Sequence, residues 1–305
     1  MSVRNAGALA RLPDPRDVRL TKDEQEWIEG EVRRLCDVTA IEWVGEGVRK
    51  PDAIMVASPI FPVKKPGPKR YRMVVDMRQL NAQLDERPFK MEGMATILRC
   101  IGRGWWVISL DLEDGYHHVQ IDEESRKFLG FRLQNNWYRF RVLPFGLSHS
   151  VHTFCKITRA MVVKWRRSAI VAGCYVDDFW VAHPSRERLA QLRDTVIRPD
   201  LEAAGFAISN KVDDTPTQTP KILGLIIDTV RCEVQAPADK VAQVQAACEM
   251  VMRGTYLPAR TLAQVAGKIM AVRRAFAPAK MCTLELYALI DAANRTKGQW
   301  TASCA

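Results

Sequence analysis

Residues 174 to 182 read CYVDDFWVA, two adjacent carboxylates, Asp177 and Asp178, set in a run that is otherwise almost wholly apolar. Drawing a charge out of water is costly unless something pairs with it, so this doublet needs an electrostatic reason to be there. The flanking segments AIVAGCYV and FWVAH have strand character, which predicts a β-hairpin with Asp177 and Asp178 as its two-residue connection. Aspartate is also an ordinary turn residue, and the doublet alone does not separate the two readings. A third carboxylate does. Asp111 closes another apolar strand, WWVISLDL (105–112), with Val107, Ser109 and Asp111 on one face and Ile108, Leu110 and Leu112 on the other. Three carboxylates brought together repel unless a cation neutralises them. Magnesium does so, taking carboxylate oxygens together with substrate phosphates. Two such ions about 3.5 to 4 Å apart clamp the attacking and leaving oxygens of a phosphoryl displacement. The reaction class is nucleotidyl transfer, and a two-metal nuclease fits the carboxylates equally well.

Strands and helices are spread irregularly around this stretch. TKDEQEWIEGEVRRLCD predicts an amphipathic helix, with Thr21 capping and Glu24 completing a capping box. KKPGPKRYRMVVDMRQLN predicts a basic hairpin whose turn lies at 66–68 and whose tip carries Lys64, Lys65, Lys69 and Arg70. Residues 127–145 read as two strands joined at Asn135 and Asn136, and 150–167 as a helix with Phe154, Ile157, Met161 and Trp165 on one stripe. A second helix, 186–206, stops at Gly205. Two short strands, PKILGLIID and RCEVQA, follow, and from 239 the chain is helical, with Leu262, Val265, Ile269, Val272 and Phe276 in register. Several hairpins among irregularly spaced helices indicate an α+β fold rather than a doubly wound one.

The composition is that of a globular chain: 305 residues, 47% apolar and 26% charged. No apolar run approaches the roughly 20 residues of a membrane span, and no secretory signal is readable at the N-terminus. The eight cysteines are scattered without framework spacing, which predicts reduced thiols and an intracellular setting, cytoplasmic or nuclear. His149, His152 and Cys155 form an H-x-x-H-x-x-C run, but no second ligand cluster accompanies it as a zinc site requires. The net charge of +10 is unevenly spread: −1 over residues 1–50, +6 over 51–235 and +5 over 236–305. A polyanionic partner lying across the middle and end accounts for that distribution, and so does a basic solvated surface.

Six segments in order resemble reverse transcriptases of retroelements: RMVVDMRQLN (72–81), ISLDLEDGYHHV (108–119), VLPFGLSHSVHTF (142–154), CYVDDFWVA (174–182), GFAISNKV (205–212) and KILGLIID (221–228). The C-terminal part is most similar to DIRS-type elements. The resemblance implies a right-hand polymerase fold: an N-terminal extension (1–49), fingers (50–105 and 119–150), a palm with an antiparallel sheet and helices on one face (106–118 and 151–235), and a helical thumb or connection-like region (236–305). It implies RNA-directed DNA synthesis from dNTPs on a primed RNA or DNA template, with two Mg²⁺ ions and Mn²⁺ as a substitute. Asp111, Asp177 and Asp178 then bind metal, assisted by the Leu112 carbonyl. Arg72 and a finger lysine such as Lys65 take the triphosphate. Tyr116 lies under the sugar and excludes a 2′-OH. Phe145 and Gly146 pack on the templating base and nucleotide, Lys211 protonates the leaving pyrophosphate, and Leu223 and Gly224 grip the primer. His117 and His118 are expected on a strand surface.

The family's Ala-Pro is Ser150-Val151 here. No RNase H, integrase, recombinase or protease signature is visible, so the chain is expected to be one segment of a longer polyprotein that carries such domains, a truncated copy, or a domesticated domain. Two alternatives stand beside the polymerase: an inactive or domesticated nucleic-acid-binding copy, and an RNA-dependent RNA polymerase.

Overall fold

The computed structural model describes residues 6–9, 12–15, 18–65, 71–210, 214–253, 256–295 and 301–303. The chain divides into two compact units, one built from 1–91, 112–163 and 198–209, the other from 92–111, 164–197 and 210–305.

In the first unit a short helical turn at Ala6–Leu9 precedes helix α1 (Lys22–Asp37), whose start is fixed by the expected capping box: the Thr21 hydroxyl accepts from the Glu24 amide and the Glu24 carboxylate accepts from the Thr21 amide. Strand β1 (Ile41–Glu46) follows, then the hairpin of β2 (Ile60–Lys64) and β3 (Tyr71–Val75). The predicted turn at 66–68, with Lys69 and Arg70, lies outside the described residues. After β4 (Trp106–Leu110), which belongs to the other unit, the chain returns as β5 (Gly130–Leu133) and β6 (Asn136–Phe140). Strand order in this sheet is β1-β6-β5, antiparallel throughout. β1 falls within the expected N-terminal extension; its alternation is broken between Trp43 and Gly45, where the register against β6 shifts. The hairpin turn is Gln134–Asn135 rather than Asn135–Asn136, with Gln134 at φ 55. Helix α2 (Ser148–Arg167) buries Phe154, Val162 and Trp165 fully; Ile157 and Met161 are only half-buried.

In the second unit β7 (Val171–Tyr175) and β8 (Asp178–His183) join β4 in an antiparallel sheet of order β4-β8-β7. Phe179, Trp180, Val181 and Ala182 are all buried, so β8 is covered on both faces and needs no alternation. Gly173 sits under the Trp180 indole; a Cβ there would stand 2.6 Å from the ring. The segment 186–203 is helical but widens into a π turn at Arg193–Ile197. Pro199, which has no amide proton, explains why regular bonding lapses there. Gly205, at φ 84, ends the helix as expected.

The segment expected as one strand, PKILGLIID, is instead a hairpin of β9 (Lys221–Ile222) and β10 (Leu225–Asp228), extended by β11 (Glu233–Gln235). Leu223 and Gly224 form its turn, at φ 49 and 70, and two left-handed central residues are what a tight twisted hairpin requires. Helices Ala238–Arg253, Ala259–Ala271 and Leu284–Arg295 complete the unit. Leu262, Val265, Ile269 and Val272 are buried, whereas Phe276 lies past the helix end and is exposed. A short strand pair, 256–258 with 301–303, interrupts the predicted all-helical tail. The seven cysteines among the described residues are free thiols. No helix among the described residues is long and apolar enough to cross a membrane.

Candidate active site

The register of β4 against β8 brings the carboxylates together. Leu110 pairs with Phe179, so Asp111, one residue past β4, falls at the same sheet end as Asp178, the first residue of β8. Tyr175 pairs with Asp178, which makes Val176–Asp177 the connecting pair, one position earlier than the sequence suggested. Val176 stands at φ 59, a left-handed conformation that a β-branched residue adopts only where its surroundings impose it. Carboxylate oxygens of Asp111, Asp177 and Asp178 all lie within 4.8 Å of one another, the one such cluster among the described residues.

Asp178 retains an exposed surface, yet desolvation, then the charge of Asp177 and then that of Asp111, push its carboxyl up to about 6 from an ordinary 3.8. Between pH 3.8 and about 6 the folded chain therefore holds a proton there that the unfolded chain has released. Its stabilising contribution is complete below 3.8 and is lost as pH rises through about 6. In metal-free protein, Asp178→Asn should thus raise Tm at a pH well above 6. The gain should vanish below pH 3.8 and shrink when divalent cation is added. Thermal melts with and without chelator measure this; an Asp178→Asn Tm below wild type at high pH would show that the cluster is not self-repelling. An all-oxygen donor set of three carboxylates fits a hard divalent cation.

In the same unit the β9–β10 turn, Leu223–Gly224, and Asp178 line one pocket of about 200 Å³ with Ser109, Tyr175 and Trp180. Gly224 lies against the Lys240 ammonium, and its φ of 70 is what favours glycine there.

The first unit holds a cleft of about 280 Å³ that includes Lys65, Tyr71, Arg72, Asp114, His117 and Phe145. Arg72 is opposite Val63 on the hairpin, and Lys65 directly follows β2. Tyr116 lies in a short 3-10 turn, Gly115–His118, and is 8% exposed. Its ring packs on Phe145 at 4.8 Å and edge-on to Phe154 at 5.1 Å. The two histidines are therefore not on a strand. His117 is largely buried, edge-on to Phe145 at 5.8 Å, and burial pushes its imidazole pKa down. His118 donates to the Glu113 carbonyl. Leu112 is buried and bridges to Ile208. Gly146 stands at φ 96, and a Cβ there would come within 2.5 Å of the Val75 carbonyl oxygen. Its glycine is thus required by β3 as well as by its conformation. Lys211 lies outside the described residues.

Residues 63–227 match the family described as reverse transcriptase (RNA-dependent DNA polymerase). The chain belongs to the reverse transcriptase family. A retrovirus-related Pol polyprotein from transposon 412 of Drosophila melanogaster is 32% identical over 144 residues, 46% of this chain and 11% of that protein. Its counterpart from transposon gypsy of the same organism is 24% identical over 229 residues, 72% of this chain and 20% of that protein. The chain thus spans 11% to 20% of the length of these two relatives. A foamy viral protease-reverse transcriptase, solved in complex with RNA/DNA hybrid, superposes with a TM-score of 0.74 at 17% identity, over 100% of this chain and 36% of that one. The same protein's dRH form with double-stranded DNA gives 0.74, over 100% and 48%. At that identity the likeness shows the fold alone, that of right-hand polymerases.

Within this reverse transcriptase fold, Asn81 has a role that its sequence neighbours do not reveal. Its side-chain amide donates to the Gly146 carbonyl at 2.8 Å, and its carbonyl accepts from the Ser148 amide at 2.8 Å, clasping the Phe145–Gly146 loop from both ends. Ser150, where the family has alanine, is fully buried and donates to the Pro144 carbonyl at 2.9 Å. The helix nonetheless begins before it, at Ser148. Asn81 closes the motif RMVVDMRQLN, but only the fold shows what it reaches. Asn81→Ala should cost about 0.5 to 1.5 kcal/mol in urea unfolding, the net worth of a typical hydrogen bond, since Gly146 and Ser148 are exposed and water can take the lost partner's place. An unchanged unfolding midpoint would mean the clasp carries no energy.

Proposed function

We infer that this chain is an RNA-directed DNA polymerase, extending a primer on an RNA or DNA template with dNTPs by two-metal nucleotidyl transfer. The observation that carries this reading is the gathering of Asp111, Asp177 and Asp178 at one sheet end. These carboxylates, with the Leu112 carbonyl, would hold two Mg²⁺ ions, or Mn²⁺ in their place. When bound, the ions neutralise the carboxylates and stabilise charge developing on the attacking and leaving oxygens.

The chain's own side chains do the rest. Lys65 and Arg72, on the basic hairpin, bind the triphosphate. Tyr116, braced by Phe145 and Phe154, leaves no room for a ribose 2′-OH. Phe145 and Gly146 seat the templating base and nucleotide, with Asn81 holding their loop. Leu223 and Gly224 hold the primer end, and Lys211 gives a proton to the leaving pyrophosphate. In this reading residues 50–105 and 119–150 are fingers, 106–118 and 151–235 palm, and 236–305 a thumb whose net charge of +5 tracks the duplex backbone without sequence preference. The polyprotein relatives support companion domains such as RNase H, recombinase or integrase on a longer chain.

Primer extension on an RNA template with dNTPs or NTPs tests the reading. Metal-dependent extension with dNTPs supports it, and a preference for NTPs would make the chain an RNA polymerase. Duplex binding without extension would make it a binding copy.

A further inference from the structure

Helix α1 carries two stripes. Ile28, Val32 and Leu35 are buried and pack the helix onto β1, β2 and β3. Trp27, Glu31 and Arg34, spaced i, i+4 and i+7, share the neighbouring face, and all three line the cleft that holds Lys65, Arg72 and Phe145. The Trp27 ring meets Tyr71 at 5.6 Å, and Tyr71 is paired with Lys64 where the basic hairpin leaves the sheet. Two turns on, Arg34 donates from Nε and one terminal nitrogen to the two Glu31 oxygens at 3.0 and 2.9 Å. That forked pair fixes the plane of the guanidinium. Its remaining terminal nitrogen donates to Asp114 Oδ2 at 2.8 Å, across 80 residues of sequence. Asp114 stands at φ 49, ψ 39, and its carbonyl accepts from the His117 amide at 2.7 Å, opening the turn that carries Tyr116. A non-glycine residue in that conformation is held there by what surrounds it.

We propose that α1 is a wall of the nucleotide cleft, with Arg34 a positioning residue that sets the Tyr116 turn through Asp114, while Trp27 seats the hairpin bearing Lys65 and Arg72. This rests on the polymerase reading. Arg34 and Asp114 are 43% and 42% exposed, and ion pairs so exposed add little stability. The effect of breaking the pair therefore appears in nucleotide selection and not in the melting temperature.

The test is steady-state primer extension by Arg34→Gln, Asp114→Asn and the double variant, with dNTP and rNTP, beside Tm and hydrogen exchange of residues 112–118. Each single variant should raise the dNTP KM about tenfold, as expected for a displaced positioning element, narrow the dNTP-over-rNTP ratio, and leave Tm near wild type. The double variant should be no worse than either single, and Arg34→Lys should restore part of the loss. KM and discrimination within twofold of wild type, in a chain that extends primers, would overturn the positioning role and leave the polymerase reading standing. Were the wild type itself unable to extend, that reading would fail, and exchange would decide the tether. Faster exchange across 112–118 in Arg34→Gln supports it; unchanged protection overturns it.

Discussion

Asp177→Asn is expected to slow templated dNTP incorporation about 10³- to 10⁴-fold, because losing several kcal/mol of transition-state charge stabilisation costs a decade for every about 1.4 kcal/mol. The substitution keeps the shape of the side chain and leaves the Val176–Asp177 turn in place, so unfolding does not explain the loss. Asp111→Asn should behave alike, and the pair together should be little worse than either alone, as for groups that act as one unit. Single-turnover extension measures all three. Multiplying losses would mean the carboxylates act separately, and the common sheet end to which β4 and β8 deliver them would have no catalytic meaning.

The second large effect concerns Tyr116. Replacing it by valine should admit ribonucleotides, shifting the dNTP-over-rNTP ratio about 100-fold, within the range a shaped pocket can enforce. Valine is the better probe because Tyr116 is part of a packed cluster. Phe145 lies against one side of its ring and Phe154 meets it edge-on. Truncating a buried aromatic to alanine costs about 3 to 5 kcal/mol, enough to confuse a change of specificity with a loss of fold. The competition is read from incorporation opposite a single template base. An unchanged ratio in a folded variant would place the sugar gate elsewhere, with the buried His117 beside Phe145 the next residue to examine.

The β-strand cores were legible because they are short, apolar and punctuated. The residues that fix their registers were less so. CYVDDFWVA reads as a hairpin, but nothing in its composition says that Val176 rather than Asp178 takes the turn. That choice is made by the pairing of Tyr175 with Asp178, a tertiary fact that puts a β-branched residue at φ 59. The same holds at Leu223–Gly224, where one apolar strand on paper folds back on itself because glycine accepts the left-handed conformation and leucine is made to. Strand β1 was hidden by its bulge between Trp43 and Gly45, which breaks the alternation that marks a strand. At Arg193–Ile197, just before Pro199, the helical period holds in sequence while the backbone departs from it.

The site shows a similar division. Asp111, Asp177, Arg72 and Gly146 are carried by motifs whose residue types announce their chemistry. Asn81 and Arg34 matter through bonds to Gly146, Ser148 and Asp114, partners that lie 65 to 80 positions away. No local pattern encodes such a distance. Gly146 illustrates both sides: its presence in the motif was plain, but the Val75 carbonyl that excludes a side chain there belongs to another strand.

Metal-dependent catalysis by the carboxylate cluster is tested by divalent-metal titration of primer extension on an RNA template, with wild type and Asp177→Asn assayed side by side at matched folded concentration. Extension by the wild type should require added Mg²⁺ and disappear with chelator, with none above background from the variant at any metal concentration. Extension that persists without metal, or that Asp177→Asn retains, would contradict such catalysis.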